Sequence, residues 1–152
     1  MRRMRAALFG GIVAVSLVGC QTTEQAEFLS HGPSDRAELL ASYSRERKWR
    51  MFKYANQVVH PPMIGLASVL ARDGEPMLRL ILASLDTTDN DLDYRDALQV
   101  FAEMERAGTY RICADRPVLA KIEDYRDRIR DAGWRAFYGD RLRDLCRAKR
   151  SR

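Results

Sequence analysis

The chain has 152 residues, of which 46% are hydrophobic and 31% charged, and its formal net charge is +5. That length is one domain's worth and is enough to enclose a hydrophobic core. Of the 26 basic residues, three lie among the first five positions, so part of the positive charge belongs to the extreme N-terminus.

The first 20 residues have the three-part pattern of an export signal. They open with MRRMR, continue through the 13 apolar or small residues AALFGGIVAVSLV, and end with Gly19 and Cys20. A transmembrane helix needs about 20 consecutive apolar residues, and this run is followed at once by the polar segment QTTEQAE. We therefore expect residues 1–19 to be a signal peptide that is removed.

Leu17, Val18, Gly19 and Cys20 resemble the lipobox of bacterial lipoproteins, and the resemblance covers residues 1–20 only. It implies that the Cys20 thiol receives a diacylglyceryl group, that a signal peptidase cuts before Cys20, and that the new amino terminus is acylated. Several acyl chains make a stable membrane anchor, whereas one chain is marginal. In enteric bacteria an Asp after the cysteine is typical of inner-membrane lipoproteins. Here that residue is Gln21, so the resemblance implies an outer-membrane location facing the periplasm.

Two other interpretations of this N-terminal segment stay open. It can be an ordinary secretory signal with a chance cysteine, or a short anchor that is not cleaved. In both cases the chain is still exported, so the rest of it reaches a compartment in which disulfides form and persist.

Removal of residues 1–19 leaves 133 residues and lowers the formal charge to about +2, because three arginines leave with the peptide. The remaining excess lies mainly in the C-terminal sequence RAKRSR. We treat residues 149–152 as a basic tail. It either contacts anionic lipid or glycan or is a solvated, frayed terminus.

The mature chain is predicted to begin with a tether and to continue as one helical domain. Residues 20–33 are the lipidated N-terminus and a polar segment that ends in the turn-forming pair GP. Residues 34–148 form the domain. Its first helix is predicted to begin near Ser34 or Asp35 and to end near Val59, because the sequence HPP follows.

Further helices are predicted in close succession. A short apolar helix over 63–71 is followed by one over 75–85 that is apolar around most of its circumference and therefore belongs in the interior. Helices over about 91–108 and 115–133 follow, with Asp or Asn caps at their starts and glycine at their ends. The last helix has an apolar stripe formed by Trp134, Phe137, Tyr138, Leu142 and Leu145.

This pattern predicts an all-α protein, a compact bundle of about five or six helices. No strand with a visible partner competes with this interpretation. A helical solenoid remains an alternative, although the sequence has no fixed repeat period.

Two cysteines remain in the mature domain, Cys113 and Cys146. An even pair in an exported chain predicts a disulfide. Because Cys113 precedes the penultimate helix and Cys146 lies near the end of the last one, the bridge is expected to tie the last two helices together. The alternatives are two buried free thiols or a redox pair, but no CxxC spacing supports the latter.

The sequence RERKWRMFK, residues 45–53, mixes basic and aromatic side chains and is a candidate binding surface. Such a patch can contact anionic lipid, a glycan or an acidic protein face. We expect no nucleic-acid partner, because the predicted location is periplasmic. The simpler alternative is a helix with one solvated side and one buried side. The candidate residues are Arg45, Arg47, Lys48, Trp49, Arg50 and Lys53.

The acidic segment from Asp86 to Asp96 has the sequence DTTDNDLDYRD, whose D-x-D-x-D run imitates the start of a calcium-binding loop. The EF-hand pattern then requires glycine at the sixth position and glutamate at the twelfth, where this chain has Tyr94 and Val100. Helix capping and the helix dipole account for aspartates at a helix start. We therefore predict no metal site, and the functional role of this segment stays open.

The sequence contains no recognisable catalytic constellation. His60, the one histidine beyond the tether, precedes two prolines, and no nucleophile signature or glycine-rich phosphate loop is present.

We predict a non-enzymatic lipoprotein without cofactors that binds or scaffolds another cell-envelope component, an envelope protein being the expected partner. One alternative is an inhibitor or immunity lipoprotein that neutralises a periplasmic toxin or wall-degrading enzyme. The other is an envelope enzyme with a pocket around His60 or the aspartates.

Overall fold

The computed structural model describes residues 21–147, and all regular secondary structure in that range is helical. The all-α prediction is confirmed, and these residues form more helices than the five or six expected. The α-helices are α1 (Thr23–Ser30), α2 (Pro33–Ser42), α3 (Arg45–Gln57), α4 (Ala67–Ala71), α5 (Gly74–Thr87), α6 (Asp91–Ala107), α7 (Arg116–Asp124) and α8 (Ala132–Arg147). Short 3-10 helices cover Ile64–Leu66, Ile112–Ala114 and Tyr125–Arg128.

The predicted helix from residue 34 to residue 59 is two helices, α2 and α3. Tyr43 and Ser44 separate them in extended backbone conformations, with ψ of 158° at both residues. The Ser44 Oγ accepts a hydrogen bond from the Arg47 backbone N–H at 3.3 Å, which caps α3. The Tyr43 ring is buried at this corner. The chain therefore breaks the helix at a position where the break lets an aromatic side chain enter the core, although the spacing of apolar residues alone favours one continuous helix.

The segment predicted as a polar tether over 20–33 differs from the expectation, because α1 occupies most of it. The start of α1 has a capping box, in which Thr22 Oγ1 accepts from the Gln25 N–H at 3.2 Å and Gln25 Oε1 accepts from the Thr22 N–H at 2.9 Å. Phe28 is completely buried against the rest of the core. The packed domain therefore begins at α1.

Helix α6 lies at the centre of the described fold and packs against α3, α4, α5 and α8. Three of the aromatic side chains in the core are tyrosines that lie together: the rings of Tyr94 of α6 and Tyr125 are 5.6 Å apart, and those of Tyr94 and Tyr138 are 6.4 Å apart. Their buried hydroxyl groups have hydrogen-bond partners. The Tyr125 hydroxyl donates to Asp86 Oδ1 at 2.8 Å and lies 2.9 Å from the Leu82 carbonyl oxygen, and the Tyr138 hydroxyl donates to the Ile122 carbonyl at 2.8 Å.

The predicted disulfide between Cys113 and Cys146 is confirmed. Cys113 lies in the 3-10 helix just before α7, Cys146 lies in the last turn of α8, and their Cα atoms are 5.7 Å apart. The Cys113 backbone N–H also donates to Glu105 Oε2 at 3.1 Å. The bridge thus holds the C-terminal end of α8 beside the C-terminal end of α6.

Several predictions fall outside residues 21–147. They are the signal peptide, the lipidation of Cys20 and the basic tail over 149–152. Within the described range, no helix combines the length and the apolar character needed to span a bilayer.

Candidate functional site

Two of the six residues of the predicted binding surface are buried. Lys48 is 7% exposed and Trp49 is 4% exposed. The Lys48 Nζ lies 2.8 Å from Asp73 Oδ2 at the connection between α4 and α5, and Trp49 Nε1 donates to the Ser84 Oγ of α5 at 3.0 Å. These two side chains attach α3 to its neighbours and are not part of an exposed surface.

Three of the other four candidate residues, Arg47, Arg50 and Lys53, pair with carboxylates of other helices. Arg47 forms an ion pair with Glu24 of α1, and Arg50 Nη2 lies 3.9 Å from the second carboxylate oxygen of Glu24. The Lys53 Nζ lies 2.7 Å from Asp93 Oδ2 of α6. Arg45 is exposed at the start of α3. Successive residues of a helix are rotated by about 100°, so a run of nine consecutive positions surrounds the helix instead of forming one surface.

A buried polar cluster connects α3 to α6, and it contains part of the acidic segment singled out in the sequence. Asp93 is 3% exposed and Asp96 is 0% exposed. Gln57 Nε2 donates to both carboxylates, to Asp93 Oδ1 at 2.9 Å and to Asp96 Oδ2 at 2.8 Å. We call this group the α3–α6 polar cluster. Its members are Lys53, Asn56, Gln57, Asn90, Asp93, Arg95 and Asp96.

Asp96 is the most perturbed carboxyl group of the cluster. Burial penalises its charged form and raises its pKa to about 6. Hydrogen bonds from Gln57 and the adjacent charge of Arg95, whose Nη2 lies 2.7 Å from Asp96 Oδ1, offset part of that increase. A second bond from Arg95 Nη2 reaches the Asn56 carbonyl at 3.3 Å. Since Asp96 has no exposed surface, the carboxylate connects helices and does not face a substrate.

The remaining aspartates of the acidic segment also join distant parts of the chain. Asp91 accepts hydrogen bonds from the backbone N–H groups of Arg130 and Asp131, at 3.1 and 2.8 Å, which hold the pKa of that carboxyl below its usual value. Asp86 accepts from Lys121 Nζ at 2.7 Å and from the Tyr125 hydroxyl at 2.8 Å, and both bonds lower its pKa. These contacts fasten the segments before α8 to the helices α5 and α6.

Neither His60 nor the aspartates gather into a metal site within residues 21–147, where no group of three potential His, Cys, Asp or Glu ligands converges. His60 is exposed in the connection between α3 and α4.

A shallow cavity of about 320 Å³ lies between α5 and the start of α7. Its polar side includes Tyr110, whose hydroxyl donates to Asp115 Oδ2 at 2.5 Å; this bond raises the pKa of Tyr110 to about 12 and lowers that of Asp115. The other oxygen of Asp115 caps α7 by accepting from the Val118 N–H at 3.1 Å. The acid–base groups of this cavity are thus engaged with each other and with the helix start.

An exposed aromatic surface on α8 was not anticipated from the sequence, which placed Phe137 in the apolar stripe of the last helix. Phe137 is 36% exposed, whereas its neighbour Tyr138 is 1% exposed and points into the core. The rings of Trp134 and Phe137 meet edge to face with centroids 5.8 Å apart. Phe137 and Arg141 are four residues apart and therefore lie on the same side of α8. This spacing is the signal in the sequence that could have identified the surface.

Two guanidinium groups complete the surface. The Arg141 Cζ lies 5.2 Å from the centroid of the Phe137 ring, and the Arg95 Cζ lies 5.5 Å from that of Trp134. We call Arg95, Trp134, Phe137 and Arg141 the α8 aromatic surface. Because Arg95 also donates a hydrogen bond to Asp96, this surface is continuous with the α3–α6 polar cluster, and that cluster holds the Arg95 side chain in place.

Comparison with known proteins found no match to a protein-family model, to a curated protein or to a solved structure.

Proposed function

We propose that the protein is a lipid-anchored lipoprotein of the cell envelope, held at the periplasmic side of the outer membrane through Cys20, and that it acts as a non-catalytic binding or scaffolding module for an envelope protein. The lipobox resemblance of residues 17–20 supports the anchor. The single observation that carries the binding role is the exposed ring of Phe137 on α8, with Trp134 and Arg141 packed around it.

The composition of the α8 aromatic surface is typical of the centre of a protein interface. Trp and Arg are enriched among the residues that dominate binding energy, and aromatic residues are enriched in interface cores. The contact between Arg141 and Phe137 and the edge-to-face contact with Trp134 restrict the ring before a partner arrives. Such restriction reduces the conformational entropy that binding would otherwise cost.

The location of Phe137 favours a macromolecular partner over a small ligand. Small-molecule sites are concave and enclose most of the ligand, whereas Phe137 projects from the outer side of a helix and does not line the cavity between α5 and α7. The exposed guanidinium group of Arg141 beside the Phe137 ring favours a partner whose apolar contact region is bordered by carboxylates.

The proposal is tested by crosslinking the tagged, lipidated protein in its own cell envelope and identifying recovered proteins by mass spectrometry. Three forms are compared: the wild type, Phe137→Glu, and the matched control Ala120→Glu, which places the same charge at an exposed position of α7. Thermal melting confirms that each form is folded. We expect a stoichiometric partner with the wild type and with Ala120→Glu, and its loss with Phe137→Glu.

Equal recovery of the partner by Phe137→Glu and by the wild type would refute the assignment of the α8 aromatic surface, and the absence of any stoichiometric partner would refute the binding role. If the recovered partner is a toxin or a wall-degrading enzyme, the binding module is an inhibitor. A further form, Cys20→Ser, shows whether the interaction depends on the membrane anchor.

A further inference from the structure

We propose that the loop formed by residues 58–64 contacts the lipid bilayer that holds Cys20, so that the domain touches its membrane at two points. This inference rests on the proposed function for the lipid anchor itself. It adds an interaction surface on the folded domain and assigns the interfacial region of a bilayer as its occupant. We call residues 58–64 the apolar loop.

The apolar loop belongs to the uncharged sequence VVHPPMIGLASVLA, residues 58–71, within a chain of which 31% is charged. For the second half of this sequence, burial explains the missing charges, because Leu66, Val69 and Leu70 are in the core. Burial does not explain the first half, where most side chains are exposed.

The apolar loop exposes large aliphatic side chains to an unusual extent. Val58 is 59% exposed and Ile64 is 58% exposed; with Phe137 they are the large hydrophobic side chains most exposed in the described part of the chain. His60, Pro61 and Pro62 between them are also exposed. Clustered apolar exposure on a soluble surface marks a contact with a partner or a membrane.

The apolar loop is connected to the helix that follows the anchor. Cys20 lies three residues before the first residue of α1, and three residues extend over at most about 11 Å. Helix α1 has eight residues, a length of about 12 Å. At its far end, Arg36 Nη2 donates to the Leu29 carbonyl at 2.6 Å while Arg36 Nη1 lies 3.8 Å from the Met63 sulfur. One short helix and one arginine thus separate the anchor from the apolar loop.

This connection places the apolar loop within reach of the bilayer surface. A 13-residue flexible tether would have allowed the domain to stand away from the membrane, but the buried Phe28 fixes α1 to the core. The short span between Cys20 and α1 keeps the domain close to the lipid head groups.

The chemistry of the apolar loop fits lipid better than a protein interface. Aliphatic side chains enter the boundary between head groups and acyl chains, and the absence of Asp, Glu, Lys and Arg avoids the cost of removing a charge from water. The aromatic and arginine side chains typical of protein hot spots occur on the α8 aromatic surface and are missing from residues 58–64.

The experiment uses the lipidated protein reconstituted in vesicles of phosphatidylethanolamine and phosphatidylglycerol. Because Cys20 is acylated and Cys113 is bonded to Cys146, a cysteine introduced by Ile64→Cys is the one free thiol and accepts an environment-sensitive NBD label. Val58→Cys provides a second position in the apolar loop. Ala120→Cys, exposed on α7, is the matched control.

We expect the emission of the label at positions 58 and 64 to shift to shorter wavelength on vesicles and to be quenched by doxyl groups on the lipid chains, with neither effect at position 120. If the protein is retained on vesicles but the labels at 58 and 64 stay water-exposed, the bilayer contact is refuted and the anchor stands. Shielding of these positions in native envelopes but not in vesicles would also refute it, since the occupant would then be a protein. Failure of the wild type to stay on vesicles would refute the anchor itself.

Discussion

The Nζ atom of Lys48 lies 2.8 Å from Oδ2 of Asp73, and the lysine is 7% exposed although it belongs to a strongly basic run of the sequence. Removing one partner of an ion pair that is shielded from water lowers stability, because the other charge then stays in the folded protein without a compensating charge. Lys48 therefore acts on the stability of the fold, whereas its sequence context indicates a binding residue.

Replacement of Lys48 by alanine is expected to lower the free energy of unfolding by about 1 to 3 kcal/mol, because the partly exposed Asp73 loses its charge-assisted hydrogen bonds to Lys48. Arg45→Ala, in the same run but exposed, is the control and should change it by less than about 0.5 kcal/mol. Urea denaturation of both variants measures the difference. Equal small effects would contradict the structural role of Lys48.

Phe28→Ala tests whether α1 belongs to the domain. The ring is completely buried, and truncation of a buried phenylalanine costs about 3 to 5 kcal/mol. Ala26→Ser, at an exposed position of the same helix, is the matched control and should be nearly neutral. If residues 20–33 were a flexible tether, Phe28→Ala would leave the urea midpoint unchanged.

The disulfide is expected to supply a large part of the stability of the C-terminal half. Cys113 and Cys146 are 33 residues apart, and closing a loop of that length stabilises the fold by about 3 to 4 kcal/mol in the chain-entropy model. The double substitution by serine should therefore lower the free energy of unfolding by that amount and make it insensitive to dithiothreitol. Dithiothreitol should destabilise the wild type alone, and an unaltered melting curve of the reduced wild type would count against the prediction.

The raised pKa of Asp96 predicts a specific pH dependence. A carboxyl whose pKa is about 6 in the folded protein and about 4 in the unfolded chain binds its proton more tightly when folded. Its contribution to stability is therefore present below about pH 4, declines as the pH rises to about 6, and is constant above that value.

Asp96→Asn removes this titration, so the stability of the wild type relative to the variant should fall by up to about 3 kcal/mol between pH 4 and pH 7. Urea denaturation at a series of pH values gives the difference. For Asp91→Asn the corresponding difference should change by less than about 0.5 kcal/mol over this range and in the opposite direction, because hydrogen bonds lower the folded-state pKa of Asp91 and its titration lies mainly below pH 4. A flat difference for Asp96→Asn would show that the folded-state pKa is not raised.

Features set by local chemistry were accessible from the sequence. The 3.6-residue periodicity of the apolar side chains predicted the helices, and the even number of cysteines in the mature domain of a chain expected to be exported predicted the bond between Cys113 and Cys146. Helix α1 was missed because a single apolar side chain, Phe28, carries its burial, although the capping pair Thr22 and Gln25 was a readable signal.

Apart from the disulfide, contacts between distant residues were not accessible from the sequence. The charge of Lys53 was visible, but its pairing with Asp93 joins positions 40 residues apart, and no local pattern indicates such a pair. The outward direction of Phe137 depends on how α8 is rotated against α6, because Tyr138 is the neighbour that enters the core. An apolar stripe of five residues is compatible with either rotation.

The most direct measurement is the intact mass of the protein purified from its own cell envelope, together with its N-terminal peptide, compared with Cys20→Ser. Both the binding role at the membrane and the bilayer contact of the apolar loop depend on Cys20. We expect a chain that begins at Cys20 with a diacylglyceryl thioether and an acylated amino terminus, and release of Cys20→Ser from membranes. A chain that begins at Met1, or an unmodified Cys20 thiol in a membrane-bound protein, would contradict this expectation.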